Sequence, residues 1–187
     1  MPEKLSLEEK KQLLAIAREA VNATALDQPL PKLNPHQFSQ LLNENGASFV
    51  TLTISGGLRG CIGTLEAYQP LYLDVQKRAV QAASQDPRFN PLTPADLKRV
   101  KIEISRLSQP EPLEYSDPRE LLTLLKPGED GVILSEGHRR ATFLPQVWNE
   151  LPDAKVFLSQ LCRKMGCSAT LWEHTKLEVE IYHVEEF

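Results

Sequence analysis

The chain has 187 residues and a formal net charge of −4, from 21 basic and 25 acidic side chains, which excludes a generally basic nucleic-acid footprint. Hydrophobic residues make up 41% and charged residues 25%, the usage of a globular domain that buries a core without disulfides or metal. No apolar run approaches membrane-spanning length, and the opening MPEKLSLEEKKQLLAIAREA is too charged for a secretory h-region, so a cytoplasmic protein is expected. The three cysteines, Cys61, Cys162 and Cys167, are odd in number and sparse, and reduced thiols are the simplest reading.

In chain order, Ser6 and Glu9 have the spacing of a capping box, and Leu13, Leu14, Ile16, Ala17, Ala20 and Val21 form the apolar stripe of a helix. The prolines of DQPLPKLNP break it. A short helix after Asn34-Pro35 is expected to bury Phe38, Leu41 and Leu42, with a turn at Asn45-Gly46. ASFVTLTI reads as a strand, Gly56-Gly57 as a reversal, and Leu58 to Thr64 as a second strand. Pro70 opens a helix whose face carries Leu71, Val75, Ala79, Ala82 and Ala83, and Asp86-Pro87 stops it. Thr93-Pro94-Ala95-Asp96 is a cap with one helical turn. Val100, Ile102 and Ile104 alternate with Lys101, Glu103 and Ser105, a strand with one wet face.

The Pro-rich stretch 108–118 is a candidate seam between lobes or a surface crossover within a single 1–187 domain. Asp117-Pro118 starts a short helix containing Leu121, Leu122, Leu124 and Leu125. GVILS and RATFL flank SEGHR, a hairpin pattern, and AKVFLSQLCRKM reads as a helix stopped by Gly166. The last strand alternates Leu177, Val179 and Ile181 with Glu178 and Glu180. Strands come in neighbouring groups, which predicts an α+β fold with a mixed or mainly antiparallel sheet flanked by helices.

Leu58-Arg-Gly-Cys-Ile-Gly-Thr-Leu-Glu-Ala67 resembles the signature of the AMMECR1 family. Asp86-Pro-Arg-Phe-Asn-Pro-Leu-Thr93, Pro127-Gly-Glu-Asp-Gly131, Arg140-Ala-Thr-Phe-Leu-Pro-Gln-Val-Trp148 and Leu161-Cys-Arg-Lys-Met-Gly166 extend the resemblance along nearly the whole chain. It implies a larger and a smaller subdomain. It also implies an A component that accompanies a Memo-like protein and a radical-SAM protein, with the iron–sulfur chemistry residing in the latter. At Cys167-Ser-Ala-Thr170 the chain departs from the pattern, which makes Cys167 a poor candidate for a shared function.

Cys61 is the candidate catalytic residue, since a thiolate is a nucleophile and Arg59, two positions away on an extended segment, could share its face. The alternative is an inert buried thiol beside glycines that permit close strand packing. Arg59 and Gly60 are candidate binding residues on the wall of a functional cleft, a placement that leans on the resemblance. GGLRGCIG lacks the terminal Gly-Lys-Ser/Thr of a phosphate-binding P-loop. Arg88 offers a guanidinium to an anionic ligand, or pairs internally with Asp86. Thr142, Gln146 and Trp148 are binding candidates in RATFLPQVW, with loop and core packing as the other reading. His138 falls at a hairpin tip. Cys162, Cys167 and His174 make a weak metal set, and core packing is the better account of Cys162. No metal or cofactor is expected. Two functions stay open: an accessory or substrate-binding component with a small-molecule ligand, and a stand-alone cysteine enzyme using Cys61.

Overall fold

The computed structural model describes residues 4–187. Its fold is α+β, with two antiparallel sheets flanked by helices and two compact units. The larger unit is the chain up to Ser108 together with Glu185–Phe187, and the smaller is Gln109–Val184.

The larger unit begins with α1 (Leu7–Ala25). Ser6 and Glu9 form the expected capping box, an end worth about 1 kcal/mol. The expected helix after Pro35 is split into a 3-10 turn (Pro35–Gln37) and the one-turn α2 (Gln40–Asn43), and of its three apolar residues Leu42 alone is fully buried. Strands β1 (Ala47–Ile54) and β2 (Gly57–Gly63) form a hairpin whose reversal uses Ser55 and Gly56, at φ 52° and 80°. The glycine was legible in the sequence; a serine in the left-handed region was not. Asn45-Gly46 is not a reversal. The Gly46 N–H bonds the Gln69 carbonyl, and a Cβ there would run into the Leu71 side chain, so this glycine serves close approach.

Helix α3 (Leu71–Ser84) follows Pro70, which sits one position before the helix with extended ψ of 139° rather than inside its first turn. Strand β3 (Val100–Leu107) pairs with β1 along its whole length. Its wet face ends at Glu103, because Ser105 is buried. Val50, Leu52, Val100 and Ile104 share one core with Leu13, Ile16 and Ala17 of α1 and Val75 and Ala79 of α3. This places 50, 52 and 104 against the helices, and by the two-residue alternation Thr51 and Cys61 on the other face.

The smaller unit holds β4 (Glu111–Pro112), α4 (Leu121–Leu124), β5 (Gly131–Glu136), β6 (Arg139–Phe143), α5 (Ala154–Lys164), α6 (Leu171–His174) and β7 (Glu178–Tyr182), with sheet order β4-β7-β5-β6. Leu121 and Leu125 are buried, whereas Leu122 and Leu124 are exposed, the one-sided face that a single helical turn offers. The hairpin of β5 and β6 and the stop at Gly166 match expectation. Past Tyr182 the chain adds β8 (Val184–Glu186), which the polar run HVEEF does not announce. It completes the first sheet as β2-β1-β3-β8, and Ile104 and Phe187 exchange both backbone hydrogen bonds, as an antiparallel pair does.

Candidate functional site

Strand β2 is an edge of the first sheet, so alternate amides and carbonyls have no neighbouring strand to bond. Cys61 is cross-strand partner to Thr51, with its backbone groups turned outward. Side chains answer them. The Cys61 N–H donates to Asp86 Oδ2 at 2.9 Å, and its carbonyl accepts from Arg88 Nη2 at 3.3 Å. Asp86 and Arg88 thus stand where a fifth strand would, one supplying an acceptor and the other a donor. The sequence motifs LRGCIG and DPRF, read separately, are two halves of one clasp.

The clasp is held by its own ion pair. Arg88 donates through Nε and Nη2 to the two oxygens of Asp86 at 2.9 and 2.7 Å, a bidentate fork, and its own N–H bonds Oδ1 at 3.1 Å. The Arg88 hydrogen bonds hold the Asp86 carboxyl far below the usual carboxylate range; the Cys61 N–H adds to this, and burial opposes it. The same fork raises Arg88. The partners differ in exposure: the Asp86 side chain is 2% exposed and Arg88 54%. A buried anion therefore orients a cation that faces solvent, backed by the Phe89 ring 5.4 Å away.

The thiol itself accepts a hydrogen bond from Thr51 Oγ at 3.3 Å. Thr51 was not singled out from the sequence, and the signal that finds it is the register of the hairpin.

Arg59 does not join this arrangement as the two-residue spacing suggests. The register slips between Leu52–Gly60 and Thr53–Leu58, so Arg59 is the extra residue of a bulge and the alternation between it and Cys61 is broken. Its guanidinium bonds the carbonyls of Asn90 and Pro91 at 2.5 and 3.3 Å and lies 3.8 Å from Asp96, fixing the segment behind DPRF. At Gly60 any Cβ would overlap the Ala82 carbonyl, so glycine is what lets β2 close on α3.

The model of the AMMECR1 family matches residues 14–187. The chain belongs to this family. A protein of Methanothermobacter thermautotrophicus is 38% identical over 163 residues, covering 87% of this chain and 84% of its own length. One from Thermofilum pendens is 36% identical over 200 residues, covering 98% and 91%. The crystal structure of an uncharacterised protein from Pyrococcus horikoshii matches with a TM-score of 0.78 and 30% identity, over 98% of this chain and 93% of that one.

The remaining candidates lie in the smaller unit of this AMMECR1 domain. Thr142 shares a hydrogen bond with the Tyr182 hydroxyl at 3.1 Å, and its carbonyl accepts from Lys164 Nζ at 2.8 Å. Trp148 is 2% exposed, stacked on Phe157 with centroids 3.6 Å apart, and its Nε1 donates to the Asp130 carbonyl at 2.7 Å. The indole is a central piece of the second core. Gln146, on the 3-10 turn Pro145–Asn149, is exposed, as is His138 at the tip of the β5–β6 hairpin. Cys162 is fully buried in that core, and burial pushes its thiol up in pKa. Among the described residues no cluster of three or more His, Cys, Asp or Glu side chains is placed to hold a metal ion.

Proposed function

We propose that this AMMECR1 protein is an accessory, substrate-binding component of the cytoplasm that works with a Memo-like and a radical-SAM protein, and that the Cys61–Asp86–Arg88 clasp is its ligand-facing wall. One observation carries the reading: every polar group of Cys61 already has a bond inside the larger unit, while the cation of the clasp stands half in solvent. A nucleophilic thiol needs a base, and the thiol's partner here is the Thr51 hydroxyl, which is no base near neutral pH. A guanidinium fixed by a buried carboxylate is suited instead to receive a carboxylate or phosphate of a small molecule.

The test is reconstitution of the three purified proteins with a metabolite extract, with products followed by mass spectrometry. Product formation should require this chain, survive Cys61→Ser, and fall at least tenfold with folded Arg88→Ala. Turnover by this chain alone, abolished by Cys61→Ser, would replace the accessory reading with a cysteine enzyme.

A further inference from the structure

Away from the clasp, and sharing no residue with it, α3 carries a second set of charges. Asp74 is fully buried and Arg78 is 6% exposed, an i, i+4 pair on the core side of the helix. The Asp74 carboxylate accepts from the Ser48 N–H and hydroxyl at 3.0 and 2.7 Å, from Gln69 Nε2 at 2.9 Å, and from Arg78 Nε and Nη2 at 3.2 and 3.0 Å. Arg78 Nη1 donates to Gln81 Oε1 at 2.7 Å. Fixing a guanidinium this completely in a core is costly, and what it holds in place is informative.

Arg78 also reaches outward. Its Nη2 donates to the Tyr68 hydroxyl at 2.5 Å, and Lys77 Nζ donates to the same oxygen at 3.1 Å. Both cations also lie near the Tyr68 ring, at 5.7 and 5.2 Å from its centroid. Tyr68 is 51% exposed. A phenol oxygen that accepts two charged donors has used its acceptor positions, so its own O–H is left to point elsewhere.

We propose that Tyr68, with Lys77 and Arg78, forms a proton-transfer site for a small anionic ligand bearing a carboxylate or phosphate. In the forward step the phenol O–H bond breaks as a lone pair on a basic atom of the ligand, other than the anionic group held by the cations, forms the new bond to the proton, and the O–H electron pair stays on the phenolate oxygen between Lys77 and Arg78. The reverse step takes the proton back. Charge balance gives the site its ligand class. Asp74 offsets Arg78, so with Lys77 the set carries one net positive charge while the phenol is neutral and none once it ionises. An anion is drawn to the protonated form. The Lys77 and Arg78 hydrogen bonds lower the phenol's pKa, Lys77 contributing most and burial opposing.

The other three tyrosines, Tyr72, Tyr115 and Tyr182, are buried, so the exposed phenol can be followed alone. The experiment is an ultraviolet phenolate titration at constant ionic strength in chloride, then with inorganic phosphate or acetate added. The expected result is a first wave of one phenol out of four, below the midpoint of N-acetyltyrosinamide. It should vanish in Tyr68→Phe and move to higher pH in Lys77→Met. Phosphate or acetate should also move it up, and whichever moves it more names the ligand's anionic group. A wave that coincides with N-acetyltyrosinamide, survives Tyr68→Phe, or ignores both anions overturns the proposal. Circular dichroism of each variant confirms the fold.

Discussion

Two aspartate–arginine pairs belong to the α3 region, and they are built in opposite ways. Asp74 and Arg78 are both sealed in the core, and their neighbours saturate them. Asp86 and Arg88 follow the helix, with the anion buried and the cation half in water. In the sealed pair the charges organise protein groups: the start of strand β1 at Ser48, the loop before α3, and a phenol at the surface. In the open pair the anion organises the cation, and together they finish the edge of a sheet. Burial of both partners makes a pair a support, and burial of one makes it a presenter.

The sharpest way to break this comparison is Asp74→Asn. It leaves the Arg78 guanidinium buried without its counter-charge, and removing one partner of such a pair costs about 3–5 kcal/mol. Urea unfolding should show a loss of that order. The double variant Asp74→Leu/Arg78→Met should recover a large part of it, since no uncompensated charge is left behind. A double variant no more stable than the single one would mean that the hydrogen bonds to Ser48 and Gln69, not the charge pair, are the support.

Asp86→Asn should come next, at about 1–3 kcal/mol for lost charged hydrogen bonds to a buried acceptor. Its signature is pH. The folded-state pKa of Asp86 is depressed, so the wild-type advantage is present above the ordinary aspartate value of about 3.9 and is lost as pH falls through the folded pKa. Unfolding curves of the two proteins should therefore separate at pH 6 and converge in strong acid. A constant gap across this range would show that the Asp86 carboxylate contributes shape rather than charge.

How much of this was written in the sequence differs between the pairs. Local patterns carried the elements: the Ser6–Glu9 box, the stripes of α1 and α3, and the alternation of β1 and β3 are each encoded within a few residues. The open pair is half legible, because Asp86 and Arg88 are two residues apart and that spacing allows an internal pair. That they clasp Cys61, 25 residues earlier, is a long-range contact with no local period. The sealed pair was hidden in a helix read for its apolar face, although Asp-x-x-x-Arg on that face was the available sign. The bulge at Arg59 left no mark either, and it undid the inference that two residues of spacing mean one shared face. Strand β8 was missed for a related reason. This short polar strand is held by its place beside β3, with the Ile104–Phe187 backbone pair just past its end, and not by its own composition.

The smallest expected effect is on the open pair's cation. Arg88→Lys keeps the charge but loses the planar fork, so one ammonium must choose between the Asp86 oxygens and the Cys61 carbonyl. With Arg88 54% exposed, water takes over the bonds that lysine drops, and the loss should stay within about 1 kcal/mol by urea unfolding. Amide exchange at Cys61 separates the two duties of the clasp, because its N–H bonds Asp86 rather than Arg88. Protection at that amide should fall sharply in Asp86→Asn and only slightly in Arg88→Lys. Equal losses in the two variants would show that the pair acts as one rigid unit, in which case the exposed cation is as much a support as the sealed Arg78, and the distinction between supporting and presenting pairs fails at its open end.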